Sequence, residues 1–227
     1  MPSQRRALPF PYGWGGKRKG AGRRPKGRSS ASHHVRPAHH RGQPIHVTLR
    51  AARGLPSLRS PALFAEIRRT FPKTARSWFR LLQFSVQADH VHLLAEAEDK
   101  RSLARGVAGL AVRVTRAINR VTGRRGPTWA CRYHARALTT PREVRNALVY
   151  VLFNFCKHVP GARGLDACSS APSFEGWETP PATGPPRDAS GSSPVRRPES
   201  WLAHTGWKRH GLLRPGEAPN DKRGPHR

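Results

Sequence analysis

Hydrophobic and polar residues alternate along several short stretches of this chain and recur at helical spacing along longer ones. Ile45, Val47 and Leu49 alternate with His46, Thr48 and Arg50, the period of a strand with one buried face. Residues 78–87 predict a second strand. The corner at Ala88 and Asp89 turns it back into a third strand, Asp89-His90-Val91-His92-Leu93-Leu94-Ala95-Glu96, giving a hairpin. Residues 61–71 predict a helix with Pro61 in its first turn, where the amide hydrogen that proline lacks would be unpaired anyway. The clearest helix is 101–122. Leu103, Val107, Leu110, Val114, Ile118 and Val121 fall within roughly 80° of each other at helical spacing, with Arg101, Arg105, Arg113, Arg116 and Arg120 on the opposite side. Residues 128–138 predict a fourth strand. A last helix follows, with Thr140 as N-cap, Pro141 at its first position and Glu143 completing a T-x-x-E capping box. Val144, Leu148, Val151 and Phe155 form its buried stripe. The order β-α-β-β-α-β plus one helix predicts an α+β fold: a ferredoxin-like split βαβ, with helices packed on an antiparallel sheet.

The two ends carry no such period. Residues 1–43 are basic and rich in glycine and proline, and read as a disordered arm. Arg18, Arg23 and Arg24 lie beside a proline that holds the chain extended, as in AT-hook-like arms that enter the minor groove. An extra arginine breaks the usual Gly-Arg-Pro core, so a generic polycationic tail reads equally well. His33, His34, His39 and His40 belong to the same arm and read as tail residues rather than metal ligands. Past Gly161 the composition turns to proline, serine and glycine and predicts a linker to about residue 198. The aromatic-basic stretch 201–210 then either docks back onto the domain or touches nucleic acid. The expected organisation is an arm over 1–43, a domain over 44–160, and a linker with a C-terminal tail over 161–227.

Charge narrows the possible partners. Forty-two lysines and arginines against 13 acidic residues give a net charge of +29 over 227 residues, which predicts attraction to a polyanion, most simply nucleic acid. Arginine far outnumbers lysine, a bias that GC-rich coding alone also produces, but the excess is too large to set aside. Cys131, Cys156 and Cys168 share no close spacing, which argues against a disulfide framework or a zinc ribbon. No apolar run approaches the roughly 18 residues of a membrane span. A cytoplasmic, nucleoid-associated protein is the expectation.

His90 and His92 carry the candidate chemistry. Two apart on a strand, they project from the same face, and paired imidazoles form half of a divalent-metal site. On the last helix Tyr150 and Asn154 lie one turn apart and share a face, which Lys157 continues. These residues resemble the single-tyrosine HUH transposases of the insertion-sequence 200 type, including the REP-associated tyrosine transposases. The resemblance spans roughly residues 44–160. It rests on HVTLR at 46–50, DHVHLLAEA at 89–97, RRGPTWACRYHARAL at 124–138 and ALVYVLFNFCKH at 147–158.

The resemblance implies that His90 and His92 bind Mg²⁺ or Mn²⁺ with Asn154 as third ligand. It implies that Tyr150 attacks a phosphodiester of single-stranded DNA at a hairpin or palindrome, leaving a 5′-phosphotyrosine link and a free 3′-hydroxyl. The arm, the stripe of Arg105, Arg113, Arg116 and Arg120, and Lys157 would contact the DNA backbone. Members of the wider family act as dimers or as monomers, so a homodimer is one expectation. Two positions depart from the family pattern: Phe155 replaces a proline after the asparagine, and Asp89 replaces the asparagine common before the histidines. Tyr133 is a rival nucleophile. Two other functions remain open: a nickase of the replication-initiator or relaxase type, and a domesticated nucleic-acid-binding protein that does not cleave.

Overall fold

A computed structural model describes residues 39–158, 164–179, 193–215 and 217. Arg18, Arg23 and Arg24, with the rest of the basic arm before residue 39, lie outside the described residues. Four strands, β1 (Ile45–Arg50), β2 (Phe79–Val86), β3 (His90–Ala97) and β4 (His134–Ala137), form one antiparallel sheet in the order β2-β3-β1-β4. This is the split βαβ arrangement that the element order predicts. β3 occupies a central position, so both its edges are paired and its side chains are held rigidly on two faces.

The first face carries the main core. Ile45, Val47 and Leu49 of β1 and Val91, Leu93 and Ala95 of β3 meet Leu63 and Ile67 of α1 (Pro61–Thr70) and Leu103, Val107, Leu110, Val114 and Ile118 of α2 (Lys100–Thr122). Asp99 caps α2 by accepting a hydrogen bond from Ser102 N at 2.7 Å, and Gly123, at φ 67°, ends it in the left-handed conformation that suits glycine. Val121, expected in the buried stripe, is 38% exposed; it lies in the last turn, beyond the sheet's cover. The helix instead approaches the sheet at Gly106, where a Cβ would lie 2.2 Å from Phe79 Cγ. Phe79 is fully buried and has nowhere to retreat. Gly106→Ala therefore loses more from overpacking, about 3 kcal/mol at the upper end, than the roughly 1 kcal/mol it gains in helix propensity. We expect the melting temperature to fall by several degrees in thermal denaturation; a melting temperature at or above that of the wild type would show that the contact is loose.

The second face is covered by α3 (Pro141–Phe153). Val144, Leu148, Leu152 and Phe153 pack over Leu94 of β3 and Leu82 of β2. A bulge between Leu81 and Gln83 turns Leu82 onto this side, whereas Leu81 serves the first core. Thr140 caps α3 by accepting from Glu143 N at 3.2 Å, and the Glu143 carboxylate reaches back to Thr139 N at 2.8 Å, one residue before the cap.

Three sequence expectations need correction. The fourth strand is shorter than 128–138: an isolated bridge joins Trp129 to Ala51, and the ladder resumes only at His134. Trp129 packs against the first core and donates from Nε1 to Ala111 O at 3.1 Å, which pulls this part of the chain toward α2. Local order reaches back before Pro44. His40 and Gln43 close a turn through Gln43 N to His40 O at 3.0 Å, with Gly42 at φ 94°. The stretch expected as a linker is partly structural. Within 164–179, Asp166 is buried and accepts two hydrogen bonds from Arg59 at 2.7 and 2.9 Å, and Ser169 bridges Ser85. Trp177, Trp207 and Leu213 are buried in the second core, against α3. Glu96, on β3, accepts hydrogen bonds from Glu199 N and Ser200 N, both at 2.9 Å, and so holds the start of a short helix at Trp201–His204. The 201–210 stretch thus docks back onto the domain.

Candidate active site on the second sheet face

The histidines face α3. In the antiparallel register His92 stands between Thr48 of β1 and Ser85 of β2, and His90 lies opposite Arg50. The alternation that buries Val91, Leu93 and Ala95 on the first face thus places His90, His92 and Glu96 on the second. The two imidazoles meet edge to face, with ring centroids 4.7 Å apart. His92 is only 4% exposed.

Each histidine has its Nδ1 fixed by a neighbour. His90 Nδ1 lies 2.7 Å from Asp89 Oδ1. The bond to His90 holds the Asp89 carboxyl below the usual carboxylate range, against the opposing effect of burial and with further help from His90 and Arg50. His92 Nδ1 lies 3.1 Å from Thr48 Oγ1 and 3.2 Å from His46 Nε2. Nε2 is then the nitrogen that each ring would offer a metal, and Asp89 and Thr48 take the part of the groups that orient ligating histidines from behind. Burial first, then nearby His134 and Arg136, push the His46 imidazole down to about 4, so it stands neutral at pH 7.

α3 brings the tyrosine. The Tyr150 ring stands edge to face against His92 at 5.0 Å and against His46 at 5.5 Å. One turn on, at the C-cap of α3, Asn154 is fully buried, and neither its Oδ1 nor its Nδ2 has a hydrogen-bond partner among the described residues. An unsatisfied buried amide costs about 1–3 kcal/mol, a cost that a ligand to its oxygen would offset.

These residues fit a divalent cation. Among the described residues no three His, Cys, Asp or Glu side chains gather to hold a metal by themselves, so the set would be His90, His92 and the Asn154 amide oxygen, completed by water. Two imidazoles with one amide oxygen suit Mn²⁺ better than the harder Mg²⁺.

Other sequence candidates stand apart from this group. Arg105, Arg113, Arg116 and Arg120 lie on α2, beyond the first face of the sheet and away from Tyr150. Arg105 lies over the Trp78 ring at 4.9 Å, Arg113 bonds Gly109 O at 2.9 Å, and Arg120 approaches Glu66 at 3.5 Å. Tyr133 packs against the first core, also on the far side from the histidines. The side chain of Lys157 lies outside the described residues.

His46 and Thr48 are the site residues that the sequence reading missed. Their alternation was visible, but that they touch His92 depends on the pairing of β1 with β3. Gln87 was missed too. It is buried, it lies on the same face, and its Nε2 donates to Ser85 Oγ at 2.6 Å, while its Oε1 has no hydrogen-bond partner among the described residues. Asp89 was noticed as a departure from the family pattern rather than as the group that orients His90.

No protein-family model matches the sequence, and no curated protein matches it. Among solved structures, the chain is similar to a REP-associated tyrosine transposase bound to a REP hairpin, with 16% sequence identity and a TM-score of 0.49, over 62% of this chain and 82% of that one. Among the described residues no helix is long and apolar enough to cross a membrane.

Proposed function

We propose that this protein is a DNA strand transferase that cuts and rejoins single-stranded DNA through a covalent bond to Tyr150. The observation that carries this reading is the meeting of Tyr150 with His92, and of His92 with His90, at ring distances of 5.0 and 4.7 Å. A nucleophilic hydroxyl and a paired-imidazole ligand set, from elements some 60 residues apart in the chain, share one small volume. The order of the HUH and tyrosine motifs, and the net charge of +29, support the same reading. Hairpin-forming single-stranded DNA is the substrate that the motif resemblance implies.

In this mechanism His90, His92 and Asn154 would hold Mn²⁺ or Mg²⁺. When bound, the ion would draw charge from a non-bridging phosphate oxygen and position the phosphate. Asp89 and Thr48 keep the imidazoles in register, so little reorganisation is needed at the moment of reaction. Tyr150 gives up its proton to solvent and its oxygen bonds to phosphorus. The bond from phosphorus to the 3′ oxygen breaks, and that oxygen takes up a proton. The 5′ end is left on the protein and the 3′ end as a free hydroxyl. Because the phosphodiester energy is kept in the phosphotyrosine, attack by another 3′-hydroxyl rejoins the strand without a nucleoside triphosphate.

The test is a denaturing gel with a labelled hairpin oligonucleotide. With Mn²⁺ a denaturation-resistant protein–DNA adduct should appear on the 5′ end of the cut, together with a fragment ending in a 3′-hydroxyl. Excess chelator should abolish both. Full adduct formation in chelator would remove the metal from the mechanism. Tight binding without any adduct, across hairpins of varied sequence, would overturn cleavage in favour of a protein that only binds.

A further inference from the structure

The C-terminal segment holds two tryptophans six residues apart with opposite fates. Trp207 is 2% exposed; it fills the second core and donates from Nε1 to Ala203 O at 3.0 Å. Trp201 is 49% exposed. It is nevertheless held in place. Its ring lies against Gly206, where a Cβ would come within 2.8 Å of Cζ3. The Arg209 guanidinium lies over the ring, 4.8 Å from its centroid. The backbone beneath is anchored by Glu96, through Glu199 N and Ser200 N, and by Ser200 Oγ, which accepts from Ala203 N at 3.2 Å. Lys208, Arg209 and His210 are all exposed beside it.

We propose that Trp201 and Arg209 form a stacking platform for the unpaired bases of single-stranded nucleic acid. The indole is kept half exposed by a rigid frame, and its surroundings are cationic. A flat aromatic ring with a guanidinium laid on it, flanked by further positive charge, matches a nucleobase followed by its phosphate. Bases of every kind stack on such surfaces, and arginine adds its own planar cation. An apolar or cationic partner would gain nothing from this charge. Ala203 and Trp207 of the same segment pack with α3, so the platform lies on the side of the sheet that carries the histidines. The platform needs no cleavage at Tyr150, and its test does not depend on the metal.

The measurement is fluorescence anisotropy of a labelled oligothymidylate of about 12 nucleotides, alongside a duplex of equal length. Trp201→Ala should weaken single-strand binding roughly 10-fold, leave duplex binding within about 2-fold, and leave the salt slope unchanged, since stacking releases no counterions. Trp201→Phe should restore most of the affinity. Trp201→Leu, which keeps bulk but no π-face, should not, and this pair separates stacking from any loss of folding. Arg209→Ala should weaken binding and reduce the salt slope by about one. Wild-type affinity in Trp201→Leu, or equal losses for single strand and duplex, would overturn the platform. An acidic peptide whose binding depends on Trp201 as strongly as the oligonucleotide's does would overturn it in favour of a protein partner.

Discussion

Tyr150→Phe should form no covalent adduct with a hairpin oligonucleotide, a loss of at least ~10³-fold in strand cleavage, because the proposed attack needs the Tyr150 hydroxyl. The substitution removes one oxygen and keeps the ring. The edge-to-face contacts with His92 at 5.0 Å and His46 at 5.5 Å survive, so folding should change by no more than about 1 kcal/mol. DNA affinity, dominated by phosphate contacts, should stay within about 2-fold. Tyr133→Phe is the matched control. Tyr133 packs against the first core, on the other side of the sheet, and its variant should keep the adduct. An adduct that persists in Tyr150→Phe and disappears in Tyr133→Phe would assign the nucleophile to Tyr133 and require the fold around β4 to rearrange.

The proposed metal ligands should separate catalysis from stability. His90→Ala should abolish cleavage and leave DNA binding nearly intact. It is the cleaner of the two histidine variants, because the His90 side chain is partly exposed while His92 is buried against Tyr150. His92→Ala should give the same catalytic loss together with a lower melting temperature. Asn154 behaves differently. With both amide atoms unpartnered in the interior, Asn154→Leu should hold or raise stability by about 1 kcal/mol, because it removes an unsatisfied buried group at similar volume. The same variant should weaken Mn²⁺ binding, measured by calorimetry without DNA, by about 10-fold or more, the scale typical of losing groups that support a metal site. Loss of stability with unchanged Mn²⁺ affinity would mean that Asn154 is a packing residue.

The strands and helices that position this site could be read from the sequence because their periods are strong. The alternation over 45–50 and 89–96 and the apolar stripe of α2 each point to one structure. His90 and His92 share a face by spacing alone, and so do Tyr150 and Asn154. What spacing could not supply was which face of the sheet α3 would cover. The polar residues of β1, His46 and Thr48, look like a solvated face until α3 lies over them, and then they become the setting for His92. The arginine stripe of α2 was visible too, but its separation from Tyr150 by the thickness of the sheet was not. The core residues past Gly161 are hidden in the sequence for a different reason. Trp177 and Leu213 enter the core singly, from stretches of irregular backbone, and an isolated hydrophobic residue among prolines and glycines leaves no period to detect. β4 failed through a single anchor: the indole of Trp129, bonded to Ala111 O, breaks what reads as one continuous strand.

The late position of that C-terminal cover has a consequence for how the protein comes into being. Phe153, next to Asn154, takes Trp177 as its edge-to-face partner at 5.6 Å, and Trp207 and Leu213 close the same layer. Burying three such large side chains contributes roughly 5–9 kcal/mol, an upper figure comparable with the whole stability of a domain. A nascent chain complete to residue 158 but lacking residue 213 has its sheet and its tyrosine helix in direct contact through Val144, Leu148 and Leu152, but without the outer layer that secures them. The histidines and the tyrosine are translated before the layer that covers them, so the cleavage proposed for this site would wait until residue 213 has been made.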